Sequence, residues 1–82
     1  MSLPEAYALL GNPSPYVSRR TRGNVTTVAI RLKRGGRTRY LVTAERVPPN
    51  STWRISDRWA VGRIGLAVDI IVRDILADEG GA

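Results

Sequence analysis

Hydrophobic and polar positions alternate most clearly between Val25 and Arg46, in the run VTTVAIRLKRGGRTRYLVTAER. β-Branched and aromatic residues alternating with polar ones, broken by a glycine pair, predict two antiparallel strands joined as a β-hairpin. One face of such a ribbon is apolar and the other carries the cations. A two-residue turn at Gly35-Gly36 would set Arg34 opposite Arg37, Leu32 opposite Arg39 and Val28 opposite Thr43, mixing both faces. A three-residue loop, Arg34-Gly35-Gly36, with Gly36 left-handed and a bulge, moves the pairing by one. Val28, Ile30 and Leu32 then meet Val42, Tyr40 and Thr38, while Arg31 and Lys33 meet Arg39 and Arg37. A one-residue slip exchanges the faces of a strand, so the sorted register is the one expected. Leu41 is its misfit, falling on the basic face beside Ala29.

The flanking pattern predicts two helices and one further strand. Ser2-Leu3-Pro4-Glu5 has the form of a capping box, with Ser2 as N-cap and Glu5 reaching back. Leu3, Ala6, Tyr7 and Leu10 follow at helical spacing, and Gly11-Asn12-Pro13 ends the element. So short a helix must dock on the sheet to be stable. Ser18-Arg19-Arg20-Thr21-Arg22-Gly23-Asn24 reads as a cationic loop, preceded by Tyr16-Val17 as a weak edge strand. Val47-Pro48-Pro49-Asn50-Ser51 is a break. Thr52-Trp53-Arg54-Ile55 alternates as a third strand, Trp53 and Ile55 inward and Arg54 outward.

Ser56 or Asp57 can cap a final helix running from about Arg58 to Asp78. Its main stripe is Ala60, Val61, Ile64, Ala67, Val68, Ile71, Val72 and Ile75, which should cover the apolar face of the sheet. A second, weaker stripe of Trp59, Leu66, Ile70 and Ala77 either wraps the core edge or meets a partner protein or a second copy of the chain. Arg63 and Asp69 interrupt the apolar run well before the ~20 residues a membrane span needs.

The expected architecture is α+β: a short N-terminal helix, a three-stranded antiparallel sheet built on the hairpin, and a long C-terminal helix on one sheet face. A single small domain spans 1–82, with flexible ends at 1–2 and 79–82. This predicted order of elements resembles that of the double-stranded-RNA-binding domain, whose helices share one sheet face. The resemblance is of topology alone. That family grips phosphates with a lysine-rich start to its second helix, and here the corresponding stretch is Ser56-Asp57-Arg58-Trp59-Ala60, so no site residue is carried over.

Charge sharpens the picture. The 82-residue chain carries +6 in all. From Tyr16 to Arg58 eleven basic residues stand against Glu45 and Asp57, giving +9, while the first fifteen residues carry −1 and the stretch from Trp59 carries −2. A basic middle between near-neutral ends points to a surface for anions. Twelve of the thirteen cations are arginine, whose planar fork fits phosphate and stacks on bases; a GC-rich coding sequence would give the same ratio but not the clustering.

Cysteine and histidine are both absent. That removes disulfides, thiolate metal sites, the commonest metal ligand and the usual acid–base group near neutral pH. The serines and threonines have no activating base. Arg34-Gly35-Gly36-Arg37 lacks the strand–loop–helix setting of a phosphate-binding loop. Neither an enzyme nor a cofactor is expected.

The leading expectation is a small non-enzymatic protein that binds DNA or RNA, or another polyanion, through Arg19, Arg20, Arg22, Arg31, Lys33, Arg34, Arg37, Arg39 and Arg54. Six phosphate contacts would give a salt slope near ~−5 on duplex DNA. With Tyr40 and Trp53 assigned inward, no exposed aromatic cluster suggests stacking on single strands. The alternative is a structural or interaction protein, such as a viral assembly component or small inhibitor. Its arginines would meet an acidic protein surface, and Trp59, Leu66 and Ile70 would form an interface. No basic segment followed by an apolar run marks the N-terminus, so a cytoplasmic or virion-associated protein is expected.

Overall fold

A computed structural model of the chain describes residues 1–49, 52–57 and 61–79, the side chains of residues 56 and 57 excepted. Its elements are α1 (Leu3–Leu9), β1 (Ser14–Arg22), β2 (Val25–Arg34), β3 (Arg37–Arg46), β4 (Arg54–Asp57) and α2 (Gly62–Glu79). The strands form one antiparallel sheet in the order β1-β2-β3-β4, and the class is α+β. Four strands take the place of the expected three. The additional one is β1, which carries the weak edge strand at Tyr16-Val17 on through the arginine-rich stretch read as a loop. Ser18 to Arg22 pair residue by residue with Val25 to Ala29. The turn between them is Gly23-Asn24, with Gly23 at φ 62°, a conformation that costs glycine little. The fourth strand also removes the likeness in element order to the double-stranded-RNA-binding domain.

The central hairpin sorts its faces by a different device from the one expected. Gly35 and Gly36 both have positive φ, 61° and 77°, and form the tight turn that sets Arg34 opposite Arg37. A bulge then intervenes. Lys33 pairs with Thr38 and Leu32 with Tyr40, leaving Arg39 without a cross-strand partner. The extra residue restores the alternation. Val28, Ile30 and Leu32 consequently meet Ala44, Val42 and Tyr40, and Arg31 meets Leu41 rather than Arg39.

The apolar face is covered by both helices. Ala6 and Leu10 from the α1 region, Val28, Ile30 and Leu32 from β2, Val42 and Ala44 from β3, and Ala67, Val68, Ile71, Val72 and Leu76 from α2 form one buried cluster. Tyr40 and Ile55 pack against it from the sheet and Trp53 from the residue just before β4, as their inward assignment required. The strand at Trp53 begins two residues later than expected, at Arg54. Ser56 and Asp57 belong to β4 and do not cap α2, which starts at Gly62. The expected start of that helix, Arg58 to Ala60, lies outside the described residues. Val61 is 82% exposed and does not join the buried stripe, whereas Leu76, absent from the expected stripe, does. Ile70 packs at the core edge and Leu66 is half exposed; Trp59 lies outside the described residues.

The capping box forms as the sequence predicts. Ser2 Oγ accepts from the Glu5 amide, and Glu5 Oε1 accepts from the Ser2 amide, each at 3.2 Å. Ser2 is therefore engaged, and Glu79 is the last residue of α2. The hydrogen bonds from Ser2 hold the Glu5 carboxyl below its ordinary 4.5. A carboxylate with a depressed folded-state pKa stabilises the fold above its unfolded pKa and loses that contribution as the pH falls through the folded value. Thermal melts of wild type and Glu5→Gln should differ above about pH 4.5, with wild type higher, and converge in stronger acid. A gap that persists unchanged into strong acid would contradict this. Where α1 meets α2, burial pushes the Tyr7 phenol up, and Asp74 of α2 adds to the shift.

Candidate nucleic-acid interface

Alternation along β1 and β2 decides which basic residues share the uncovered face. Val17 and Arg19 pair with Ile30 and Val28, so they belong to the helix-covered side. Tyr16, Ser18, Arg20 and Arg22 pair with Arg31, Ala29, Thr27 and Val25 and occupy the other side. Lys33 follows Arg31 on that side by the same alternation. The uncovered face thus gathers Arg20, Arg22, Arg31 and Lys33 on the β1–β2 half of the sheet. Successive rows lie about 6.8 Å apart, so the stretch from Arg22 to Tyr16 covers about 20 Å.

Between these cations the sheet dips. Ser18, Arg19 and Arg20 of β1 with Thr27, Ala29 and Arg31 of β2 line an open depression of ≈ 420 Å³. A neighbouring one is lined by Arg20, Arg22, Val25 and Thr27. The dip has a simple cause: Ser18 and Ala29, paired across the strands, are short side chains flanked by longer ones. Arg31 Nη1 donates to Ser18 Oγ at 3.4 Å, which turns the guanidinium along the floor of the dip. Lys33 Nζ sits 4.7 Å from the centre of the Tyr16 ring, a cation–π contact.

The remaining predicted residues do not join this group. Arg19 forms an ion pair with Glu79 and ties the edge strand to the end of α2. Arg34 turns to the helix side, where a Cβ on Gly11 would come within 2.8 Å of its Nη1. Arg37 pairs with Arg34 and shares that parity, while Arg39 is the exposed bulge residue. Arg54 lies on the uncovered face as expected, but 3.8 Å from Glu45, its cross-strand partner. The β3–β4 half of that face is accordingly mixed: Leu41, Thr43, Glu45 and Arg54. One continuous patch of nine cations is not what the fold builds.

Tyr16 is the residue that sequence reasoning missed. It is 56% exposed and stands beside Arg31. Gly23-Asn24 was the available signal, because a glycine–asparagine pair between two runs marks a hairpin. Pairing Arg22 with Val25 across that turn puts Tyr16 opposite Arg31.

Among the described residues no group of three or more histidine, cysteine or acidic side chains could hold a metal ion, and no helix is long and apolar enough to cross a membrane. No protein-family model matches the chain, and searches of curated proteins and of solved structures return no significant match.

Proposed function

We propose that this is a small non-enzymatic protein that binds nucleic acid, or a polyanion of similar charge density, on the uncovered face of its sheet. Arg20, Arg22, Arg31 and Lys33 carry the binding. The observation behind this reading is that these four cations share the β1–β2 half of one face, and none pairs with a carboxylate among the described residues. Two other cations, Arg19 and Arg54, have acidic partners. Unpaired neighbours of one sign repel, and an approaching anion relieves that repulsion while releasing its own counterions. A lack of histidine and cysteine further favours binding over catalysis. Such a role suits the cytoplasm or a virion.

The test is the salt dependence of binding, followed by anisotropy of labelled duplex DNA, duplex RNA and single strands. Four phosphate contacts give a slope of log affinity against log salt of about −3 to −4. Absence of binding at low salt, or binding indifferent to salt, would overturn the reading.

A second reading, assembly through α2 with itself or a partner protein, draws on Leu66, which is 50% exposed, and on Val61 beyond it. Sizing of the free protein separates the two. A discrete oligomer that Leu66→Asp dissolves, with no nucleic-acid shift, would favour assembly.

A further inference from the structure

The cations account for phosphates but not for the apolar groups set among them. Tyr16, Arg31 and Leu41 form one cross-strand row on the uncovered face, an aromatic and an aliphatic residue at the positions either side of Arg31, whose guanidinium reaches along the sheet to Ser18. Leu41 is half-buried and Tyr16 is 56% exposed on a face that no helix covers. A surface evolved only for phosphate or acidic protein gains nothing from placing this row at the centre of its charge. A surface for unstacked bases does, because rings and guanidinium planes both offer stacking surfaces and every base has a π-face.

The two neighbouring rows complete the arrangement. One step along β1, Ser18 and Ala29 floor the dip; one step further stands Arg20, and then Arg22. Lys33 lies on the opposite side of the stacking row and already rests over the ring. Phosphate-binding groups therefore flank a stacking platform along one line of the sheet. Duplex nucleic acid keeps its bases stacked inside and would meet only the cations.

Resting on the polyanion reading above, we infer that the uncovered face binds single-stranded nucleic acid, with Tyr16 as a base-stacking platform between Arg31 and Lys33. Stacking of one base on an aromatic side chain contributes enough that its loss weakens binding about tenfold or more.

The experiment compares wild type, Tyr16→Ala and Tyr16→Phe against labelled single-stranded RNA, single-stranded DNA, the corresponding duplexes and heparin, which has no bases. Circular dichroism first checks that each variant is folded. The expected result is tighter binding of single strands than of duplex by wild type. Tyr16→Ala should lose about tenfold on single strands and at most about twofold on duplex or heparin, where only the Lys33 contact with the ring is removed, and Tyr16→Phe should keep the wild-type affinity. RNA or DNA single strands meeting these criteria support the inference equally, and the comparison shows which is preferred. Equal binding of duplex and single strand, or a Tyr16→Ala loss of the same size on heparin, would overturn it and leave the polyanion reading standing. Failure of every probe to bind would remove both.

Discussion

Ile30→Ala is expected to cost about 2–5 kcal/mol of stability, the range for truncating a fully buried isoleucine. Ile30 has no solvent exposure and lies on β2, between Val17 of β1 and Val42 of β3. The helices close over it, so the surroundings have little freedom to collapse into the void. A chain of 82 residues holds roughly 4–12 kcal/mol in total by the usual per-residue range. The substitution therefore removes a large fraction of the fold's stability, from the buried cluster that sheet and helices share. Urea unfolding followed by circular dichroism should show a much lower midpoint with an unchanged slope. Leu66→Ala, half exposed on α2, serves as the control and should lie within about 0.5 kcal/mol of wild type. Equal losses at the two positions would mean that the core is not where the sheet and helices meet.

The residues that were legible in the sequence are those whose neighbours all reward the same choice. Val28, Ile30, Leu32 and Val42 recur at every second position, with Ala29 and Leu41 the only apolar residues adjacent to them, and Ala67, Val68, Ile71 and Val72 recur at helical spacing, so periodicity identifies them as core. Ser2 and Glu5 were legible because a capping box is local. Of β1 only Tyr16-Val17 was legible as an edge strand, and its arginine-rich continuation was not, because an edge strand needs only part of one face buried. Val17 alone supplies the apolar signal, while Arg19 occupies an inward position by pairing with Glu79 at the sheet margin. The hairpin register was hidden for another reason. Two arrangements sort the faces, a long loop or a tight turn with a bulge, and the sequence pattern is identical for both. Backbone geometry favours the tight turn because both glycines accept positive φ. The start of α2 misled through its apolar run: Val61 fits the stripe by spacing, but the helix begins only at Gly62. The errors in the site follow from these. Arg37 and Arg39 change place with the register, and Arg20, Arg22 and Tyr16 gain a fixed position only once β1 exists.

Charge reversal distinguishes a binding face from a merely basic protein. Arg31→Glu and Arg37→Glu change the net charge equally, and both leave the buried cluster untouched. Arg31 stands on the uncovered face between Arg20 and Lys33, beside the dip, whereas Arg37 pairs with Arg34 beyond the bulge. If bulk charge attracted the polyanion, the two variants would weaken binding alike. If the uncovered face is the proposed binding site, Arg31→Glu would remove one phosphate contact and set a carboxylate against the next phosphates. The salt slope should fall by roughly one or more, and affinity at low salt should drop more than tenfold, about 1.4 kcal/mol or greater. Arg37→Glu, on the helix side of the sheet by its pairing with Arg34, makes no contact on the uncovered face and acts only through the field, which salt screens, so its effect should be several-fold smaller and should fade as salt is raised. Anisotropy titrations of both variants at two salt concentrations make the comparison directly. Similar losses and similar slopes would show that the arginines act by number and not by position, and the uncovered face would lose its claim to be the site.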